Sequence, residues 1–151
     1  MTRFTLFLVL VLAIPSGAAA SLGGTVATVD ADRARTRSAL MRISRLSAYS
    51  VHELQSPSGT IVREYYSPAG IVFGVAWDGE WPPDFRQILG TYFDRYQRAS
   101  QAVRRAHKSR GHLAVNDDGL VVQALGRTRS FSGIAYAPAL LPAGVTADVV
   151  K

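Results

Sequence analysis

A few histidines and carboxylates are the residues of this sequence with the most obvious chemical potential. His107 and His112 are five residues apart, a spacing that does not stack two side chains on one helix face, so we expect no metal site. Glu53 and Glu64 fall on neighbouring β-rich runs, where hairpin register can bring them close to His52. Paired carboxylates of this kind perform general acid–base hydrolysis. The alternative is that both carboxylates form cross-strand ion pairs with arginines.

Other catalytic classes are excluded by what the sequence lacks. The chain has no cysteine, which removes thiolate nucleophiles, thiolate metal sites and disulfides. It contains no G-x-S-x-G nucleophile elbow and no glycine-rich phosphate loop with its lysine. Its loops are short, which leaves little material for a catalytic cleft. We therefore expect a non-catalytic protein without a cofactor, and a small hydrolase that uses Glu53, Glu64 and His52 is the alternative.

A second group of residues combines aromatic rings with charges. Trp77 and Trp81 flank a short loop that contains Glu80, and Arg63 and Tyr65 lie on the preceding β-rich run. Exposed rings beside charges form binding platforms for sugars and peptides. We expect these five residues to form a binding surface. The alternative is that Trp77 belongs to the core and that Trp81 covers the start of the following helix.

The first twenty residues have the pattern of a signal peptide. Arg3 supplies a positive charge, Phe4–Ile14 is an uninterrupted apolar run, and Ala18-Ala19-Ala20 offers the small residues that a signal peptidase reads. The apolar run is shorter than the roughly 20 residues that a membrane span needs. We expect cleavage after Ala20, a periplasmic or secreted mature protein, and contact with the membrane only before cleavage.

Basic residues outnumber acidic ones, 17 Lys+Arg against 11 Asp+Glu, for a formal net charge of +6. The arginines concentrate between Arg33 and Arg45 and again between Arg95 and Arg110. A basic surface attracts polyanions. Because export separates the protein from nucleic acid, the expected partner is an envelope protein or an anionic envelope polymer, such as lipopolysaccharide phosphates. The alternative is that the arginines only make the surface soluble.

The chain after Ala20 is predicted to be an α+β protein that opens with an N-terminal segment, residues 21–48. That segment contains a short helix at Val29–Arg37 and, at Leu40–Leu46, either a strand or more helix. The α+β domain follows at 49–136. It begins with three β-rich runs separated by two turns, Ser56–Gly59 and Ser67–Gly70, each with Pro second and Gly fourth. These turns predict a three-stranded antiparallel meander.

The second half of the domain is predicted to be a helix followed by strands. Asp84 is the expected N-cap of one amphipathic helix of about 24 residues that packs on the sheet and ends before Gly111. Gly90 within it indicates a close contact or a slight bend. A C-terminal β-hairpin comes next, and residues 137–151 are expected to form an extended surface tail.

The third β-rich run predicts how the sheet is buried. Ile71, Phe73, Val75 and Trp77 alternate along it, so these large side chains should face one core. On the other face, Gly74 indicates either that another segment packs close or that the sheet bends there. An exposed edge of this sheet raises a third hypothesis for function, in which the protein adds a strand to the sheet of a partner.

Several short stretches resemble a known family. They include Val62–Tyr65 (VREY), Ser67–Gly70 (SPAG), Gly119–Gln123 (GLVVQ) and Leu141–Val145 (LPAGV), and the likeness extends over most of the chain after Ala20. The sequence resembles small exported proteobacterial proteins that are grouped as a domain of unknown function. The resemblance implies export in a Gram-negative bacterium, and it implies no activity and no catalytic residue.

Overall fold

The computed structural model describes residues 21–25, 38–106 and 111–151. The predicted signal peptide and the predicted helix at Val29–Arg37 lie outside these residues. Within the described ranges the chain forms one antiparallel sheet of seven strands in the order β1-β2-β3-β4-β7-β6-β5, with two α-helices. The strands are β1 Ala39–Arg45, β2 Ser50–Gln55, β3 Ile61–Tyr66, β4 Val72–Gly79, β5 His112–Asp117, β6 Leu120–Arg127 and β7 Ser130–Tyr136, and the helices are α1 Phe85–Leu89 and α2 Phe93–Ala106.

The α+β class and the meander of β2, β3 and β4 are confirmed, and the segment that begins at Leu40 is a strand. In both turns the glycine has a positive φ, +85° at Gly59 and +76° at Gly70, and its N–H donates back to the serine that opens the turn, Ser56 or Ser67. Proline at the second position and glycine at the fourth therefore form the turns that the sequence predicts.

The prediction of a meander plus a separate hairpin is wrong in its extent, because one sheet contains every strand of the described residues. β7 pairs with β4, with Trp77 opposite Gly133, and so joins the C-terminal strands to the meander. β5, β6 and β7 form a second meander rather than a hairpin. Turn residues predict pairing between strands that are consecutive in sequence, and they carry no information about pairing between strands some 50 residues apart.

The prediction of one long helix is also wrong, because the helical region breaks at Gly90. A 3₁₀ turn, Gly90–Tyr92, separates α1 from α2. Gly90 has φ +49°, and a Cβ there would overlap the side chain of Ser21. The next residue, Leu22, is 1% exposed, and its N–H donates to the carbonyl of Ile88 at 3.0 Å. The close contact expected at Gly90 is thus made by the N-terminal segment.

The helices cover one face of the sheet and the C-terminal residues cover the other. We call these the helix face and the tail face. Residues 137–151 were predicted to be an extended surface tail, but they contain two 3₁₀ turns and pack on the sheet, where Val150 is 2% exposed. Val149, Val145 and Leu141 pack there as well. The prediction fails because the apolar residues of this segment bury themselves against the otherwise open second face.

Strand β4 is buried on both faces. Val72, Val75 and Trp77 belong to the helix-face core, whereas Phe73 packs with Ala76 on the tail face. The pairing of β3 with β4 shifts between Tyr65 and Tyr66, which breaks the alternation and moves Phe73 to the face opposite the predicted one. The close packing expected at Gly74 is confirmed, because a Cβ there would lie 2.7 Å from a methyl carbon of Val150.

We predict that Gly74→Ala destabilises the protein by about 1–3 kcal/mol, because the added methyl group overlaps Val150. Val150→Ala should cost about 2 kcal/mol for its lost methyl groups. The double variant should be more stable than the sum of the two losses by at least about 1 kcal/mol, since the shortened side chain leaves room for the new methyl. Urea unfolding gives the free energy of unfolding of the wild type, the two single variants and the double variant. Losses that simply add would contradict the close packing of the C-terminal residues on β4.

Candidate functional site

The five residues predicted to form one binding surface lie in three separate places. Trp77 is 3% exposed and lies on the helix face, whereas Trp81 is 58% exposed and lies in the loop after β4. Glu80, in the same loop, accepts a hydrogen bond from Arg129 at 2.9 Å. Arg63 and Tyr65 lie on β3 with their side chains toward the tail face.

On the tail face both of these side chains have partners in the chain. The Arg63 guanidinium contacts the carboxylate of Glu53 at 3.0 Å, which is the cross-strand ion pair that the sequence analysis offered as an alternative. Tyr65 is buried, and its hydroxyl donates to the carbonyl of Lys151 at 2.6 Å. Both residues therefore help to hold the tail face together.

The three residues of the hydrolase hypothesis are not brought together. His52 and Glu64 are cross-strand neighbours on the helix face, and the Tyr66 hydroxyl donates to Glu64 at 2.6 Å. Glu53 lies on the opposite face with Arg63, because consecutive residues of a strand point to opposite sides. The two carboxylates therefore cannot act as an acid–base pair across one substrate.

The edge strand β1 has the features that discourage strand addition. Its pairing with β2 shifts between Leu40 and Arg42, and the exposed Arg42 and Arg45 place two positive charges on a seven-residue strand. Bulges and charges at an edge are common protections against pairing with another chain. The third hypothesis therefore finds no support at β1.

A cavity of about 370 Å³ on the helix face brings together residues from both halves of the sequence. We call it the ring-lined cavity, because four of its walls are aromatic. β4 contributes Trp77, α1 contributes Phe85, α2 contributes Tyr96 and β7 contributes Phe131. Two basic residues, Arg104 and His112, also line the cavity at the end of α2 and the start of β5.

Three of the four rings contact one another in favourable geometries. The centroids of Trp77 and Phe85 are 5.3 Å apart with their planes at 88°, and those of Phe85 and Tyr96 are 5.2 Å apart at 19°. Edge-to-face and stacked pairs at such distances add about 0.5–1.5 kcal/mol each beyond the area that they bury. Trp77, Phe85 and Tyr96 are therefore held in place without a ligand.

Gly133 determines where the indole of Trp77 lies. It is the cross-strand partner of Trp77 on β7, and a Cβ at this position would overlap the indole ring. The missing side chain lets the ring lie over the backbone of β7. The pairing of β4 with β7, which the sequence does not predict, is thus the contact that makes Trp77 a wall of the cavity.

Electrostatics distinguish the rim of the cavity from its walls. Burial raises the pKa of the Tyr96 phenol above its usual value of 10.0, and the charge of Arg104 and its hydrogen bond to the phenol oppose part of that shift. Arg104 and His112 are both exposed, so they face solvent as well as the cavity. None of the described lining residues is acidic. The cavity therefore combines apolar walls with the positive charge of Arg104 at its rim.

Of the five residues predicted to form a binding surface, only Trp77 lines this cavity. Phe85 and Tyr96 appear in the sequence as members of an apolar helix stripe, which is the ordinary sign of a core-facing helix. Arg104 belongs to the arginine-rich stretch from Arg95 to Arg110, but its place beside the cavity depends on the orientation of α2. Phe131 carries no local signal, because its place depends on the β4–β7 pairing. In the ranges that the structure describes, no group of three or more acidic or histidine side chains is arranged to hold a metal ion.

The chain is therefore a small α+β protein with an antiparallel sheet that is covered on both faces. A cavity large enough for a small ligand lies on the face that the helices cover. The chain belongs to the family described as "Protein of unknown function (DUF2844)", whose model matches residues 18–150. This match confirms the resemblance to a domain of unknown function. No curated protein and no solved structure matches the chain. Among the described residues, no helix is long and apolar enough to span a membrane.

The buried phenols predict how stability depends on alkaline pH. Burial raises the pKa of both Tyr65 and Tyr96 above 10.0, so the native state holds these protons more tightly than the unfolded chain. Their contribution to stability is complete below pH 10 and is lost as the pH rises through the native pKa.

We therefore predict that the Tyr96→Phe variant loses less stability above about pH 10 than the wild type does. Ionisation of Tyr65 should account for the loss that remains. Urea unfolding from about pH 8 to pH 11 gives the slope of the free energy of unfolding against pH for the wild type and the variant. The slopes are compared rather than the absolute stabilities, because the variant also loses the hydrogen bond to Arg104. An unchanged slope would contradict this account.

Proposed function

We propose that the protein is an exported envelope protein that binds a ligand in the ring-lined cavity and performs no reaction there. The observation that carries this proposal is the position of Trp77, which is almost fully buried and yet forms a wall of a cavity of about 370 Å³. Ligand pockets are concave and mostly apolar, with a few polar groups, and have volumes of about 300–1,000 Å³. The ring-lined cavity fits this description.

The chemistry of the cavity favours an anionic amphiphile. Four aromatic walls suit an apolar chain or ring, and Arg104 at the rim suits a carboxylate or phosphate group. A ligand with both parts matches the anionic envelope material expected from the basic composition of the chain. Within this proposal the other arginines raise the local concentration of such ligands by long-range attraction.

The lining supports binding rather than hydrolysis. The described lining residues offer no carboxylate, so the paired carboxylates of the hydrolase hypothesis are missing from the cavity. The carboxylates of the alternative, Glu53 and Glu64, lie on opposite faces of the sheet, with Glu53 engaged by Arg63. The hydrolase alternative therefore has no observation that favours it.

Tryptophan fluorescence tests the proposal, because the chain has two tryptophans and only one of them lines the cavity. In a Trp81→Phe background, which removes the exposed indole, decyl phosphate below its micelle concentration should change the emission of Trp77 saturably. Decyltrimethylammonium, with a similar chain and the opposite charge, should bind at least about tenfold more weakly. Equal binding of the two probes, or no saturable change, would overturn the proposed ligand class.

Two arginines of the same helix turn provide the matched comparison. Arg104→Gln removes the charge at the rim and should weaken decyl phosphate binding about tenfold. Arg105→Gln removes the same charge from an exposed neighbour outside the lining and should leave the affinity nearly unchanged. Equal losses in both variants would mean that the phosphate responds to net charge and not to this site.

Export is the second part of the proposal, and it is supported by the sequence pattern of the first twenty residues. We predict that the protein recovered from the periplasm of an expressing Gram-negative cell begins at Ser21, as measured by intact mass. Changing Ala18 and Ala20 together to glutamine should block processing, because a signal peptidase requires small residues at these positions. A wild-type protein that keeps Met1–Ala20 and remains in the cytoplasm would contradict export.

A further inference from the structure

Strand β5 is the second edge of the sheet, and it lacks the protections that β1 has. In the described part of the chain β5 pairs with β6 alone, so its other side is open. Its pairing with β6 continues from His112 to Asp117 without a register shift, and the strand contains no proline, lysine or arginine. An open edge without such features is able to pair with a further strand.

The backbone of β5 alternates between groups that bond to β6 and groups that point out of the sheet. Gly111 and Gly126 continue the register of the two strands, and the N–H of Gly126 donates to the carbonyl of Gly111 at 2.7 Å. Hydrogen-bonded pairs alternate with non-bonded pairs in an antiparallel ladder, so Leu113 and Val115 bond to β6. Every second residue therefore points its N–H and C=O away from β6. These residues are His112, Ala114 and Asn116, all of them exposed.

Helix α2 lies along β5 and runs antiparallel to it. Arg95, near the start of α2, contacts the carboxylate of Asp117, at the end of β5, at 3.8 Å. Arg104, near the end of α2, lines the ring-lined cavity together with His112, at the start of β5. Arg95 and Arg104 are nine positions apart, so their side chains leave the helix in nearly opposite directions. Because Arg104 faces the cavity and the middle of the sheet, the flank with Arg95 faces the open side of β5.

This outer flank of α2 is basic. Arg98 and Arg105 follow Arg95 at helix spacing, and both are exposed. The helix contains four arginines against a single aspartate. Because Arg95 contacts the carboxylate of Asp117, Arg98 and Arg105 are the positive charges that the flank offers to a further strand.

Charge decides which strand suits this edge. If β5 paired with β5 of a second copy about a two-fold axis perpendicular to the sheet, the two α2 helices would lie side by side with their arginines facing like charges. A strand with acidic side chains meets the same arginines with opposite charge. Arg98 and Arg105 are about 10 Å apart along the helix axis. Alternate residues of a strand are about 7 Å apart, so two successive carboxylates on one face of a strand lie within reach of these long side chains.

We propose that β5 accepts an extended segment of a partner protein as an eighth strand of the sheet, and that this segment carries acidic side chains at alternate positions. The outward N–H and C=O groups of β5 bond to the backbone of the segment, and the acidic side chains face Arg98 and Arg105. In strand addition the backbone bonds supply affinity and the alternate side chains supply specificity. Ala114 and Asn116 do not line the ring-lined cavity, so this surface stands independently of the proposed function.

Water-exchange NMR tests the proposal, with a blocked peptide of the length of β5 in which glutamate and threonine alternate. The measurement uses the chain from Ser21 onward, which contains every described residue. Without peptide, the three outward amides of β5 should exchange faster than those of Leu113 and Val115. At a peptide concentration about ten times Kd, the outward amides should exchange about tenfold more slowly. A peptide with lysine in place of glutamate should bind at least about tenfold more weakly. Equal binding of both peptides, or no protection by the glutamate peptide, would overturn the proposal.

Two substitutions of Ala114 isolate the backbone of the edge. Ala114→Pro removes an outward N–H, and proline is tolerated in an edge strand where its missing N–H faces solvent. This variant should keep the circular dichroism spectrum of the wild type and bind the glutamate peptide at least about tenfold more weakly. Ala114→Thr keeps the N–H and should bind within about twofold of the wild type. A folded Ala114→Pro protein that binds as well as the wild type would contradict strand addition at β5.

Paired arginine variants isolate the charge, and all of the changed residues are exposed. Arg98→Gln with Arg105→Gln should weaken binding of the glutamate peptide about tenfold. Arg42→Gln with Arg45→Gln removes the same charge from the opposite edge of the sheet, more than a Debye length away, and should change the affinity by less than about twofold. Equal losses in the two double variants would show that the peptide responds only to net charge and would overturn the site.

The oligomeric state of the chain tests the choice of partner. Sedimentation velocity of the wild type should show a monomer at the concentrations used for the peptide titration. A dimer that the Ala114→Pro substitution abolishes would assign the edge to a second copy of this chain and overturn the acidic partner.

Discussion

The pairing of β4 with β7 is the contact on which the rest of this structure depends. It joins the two meanders into one sheet, places β4 at the centre and leaves that strand with two faces to bury. A buried strand needs a layer on each side, because exposed apolar faces are costly in water. The helices supply one layer and the C-terminal residues supply the other.

Two glycines adapt the sheet to these layers. Gly133 lets the indole of Trp77 lie across β7, and Gly74 lets Val150 approach β4 from the other side. Because glycine has no side chain, another group can pack directly against the backbone at both positions. A close-packed core can therefore accommodate the large indole ring on one face and the C-terminal residues on the other. The ring-lined cavity and the docked tail are therefore consequences of the same central pairing.

Local features of the fold were predictable where neighbouring residues determine them. Pro57 with Gly59 predicted the β2–β3 hairpin, and Pro68 with Gly70 predicted the β3–β4 hairpin. Asp84 predicted the start of the helical region, where it accepts hydrogen bonds from two backbone N–H groups. The site was less predictable. Trp77 was identified as an aromatic of interest, but its role as a cavity wall depends on Phe131 and on a cross-strand partner far away in the sequence.

The sequence by itself determined the class of fold, the turns, the absence of cysteine chemistry and the membership of a family, since all of these depend on residue types and short spacings. Only the tertiary structure decided that Glu53 and Glu64 face opposite ways, that the helix breaks where Ser21 crosses Gly90, and that four rings converge beside Arg104. The physical reason is that these outcomes depend on register and on contacts between distant segments. The periodicity of apolar residues shows which face of a helix or strand is buried, but it does not show which other element packs against that face.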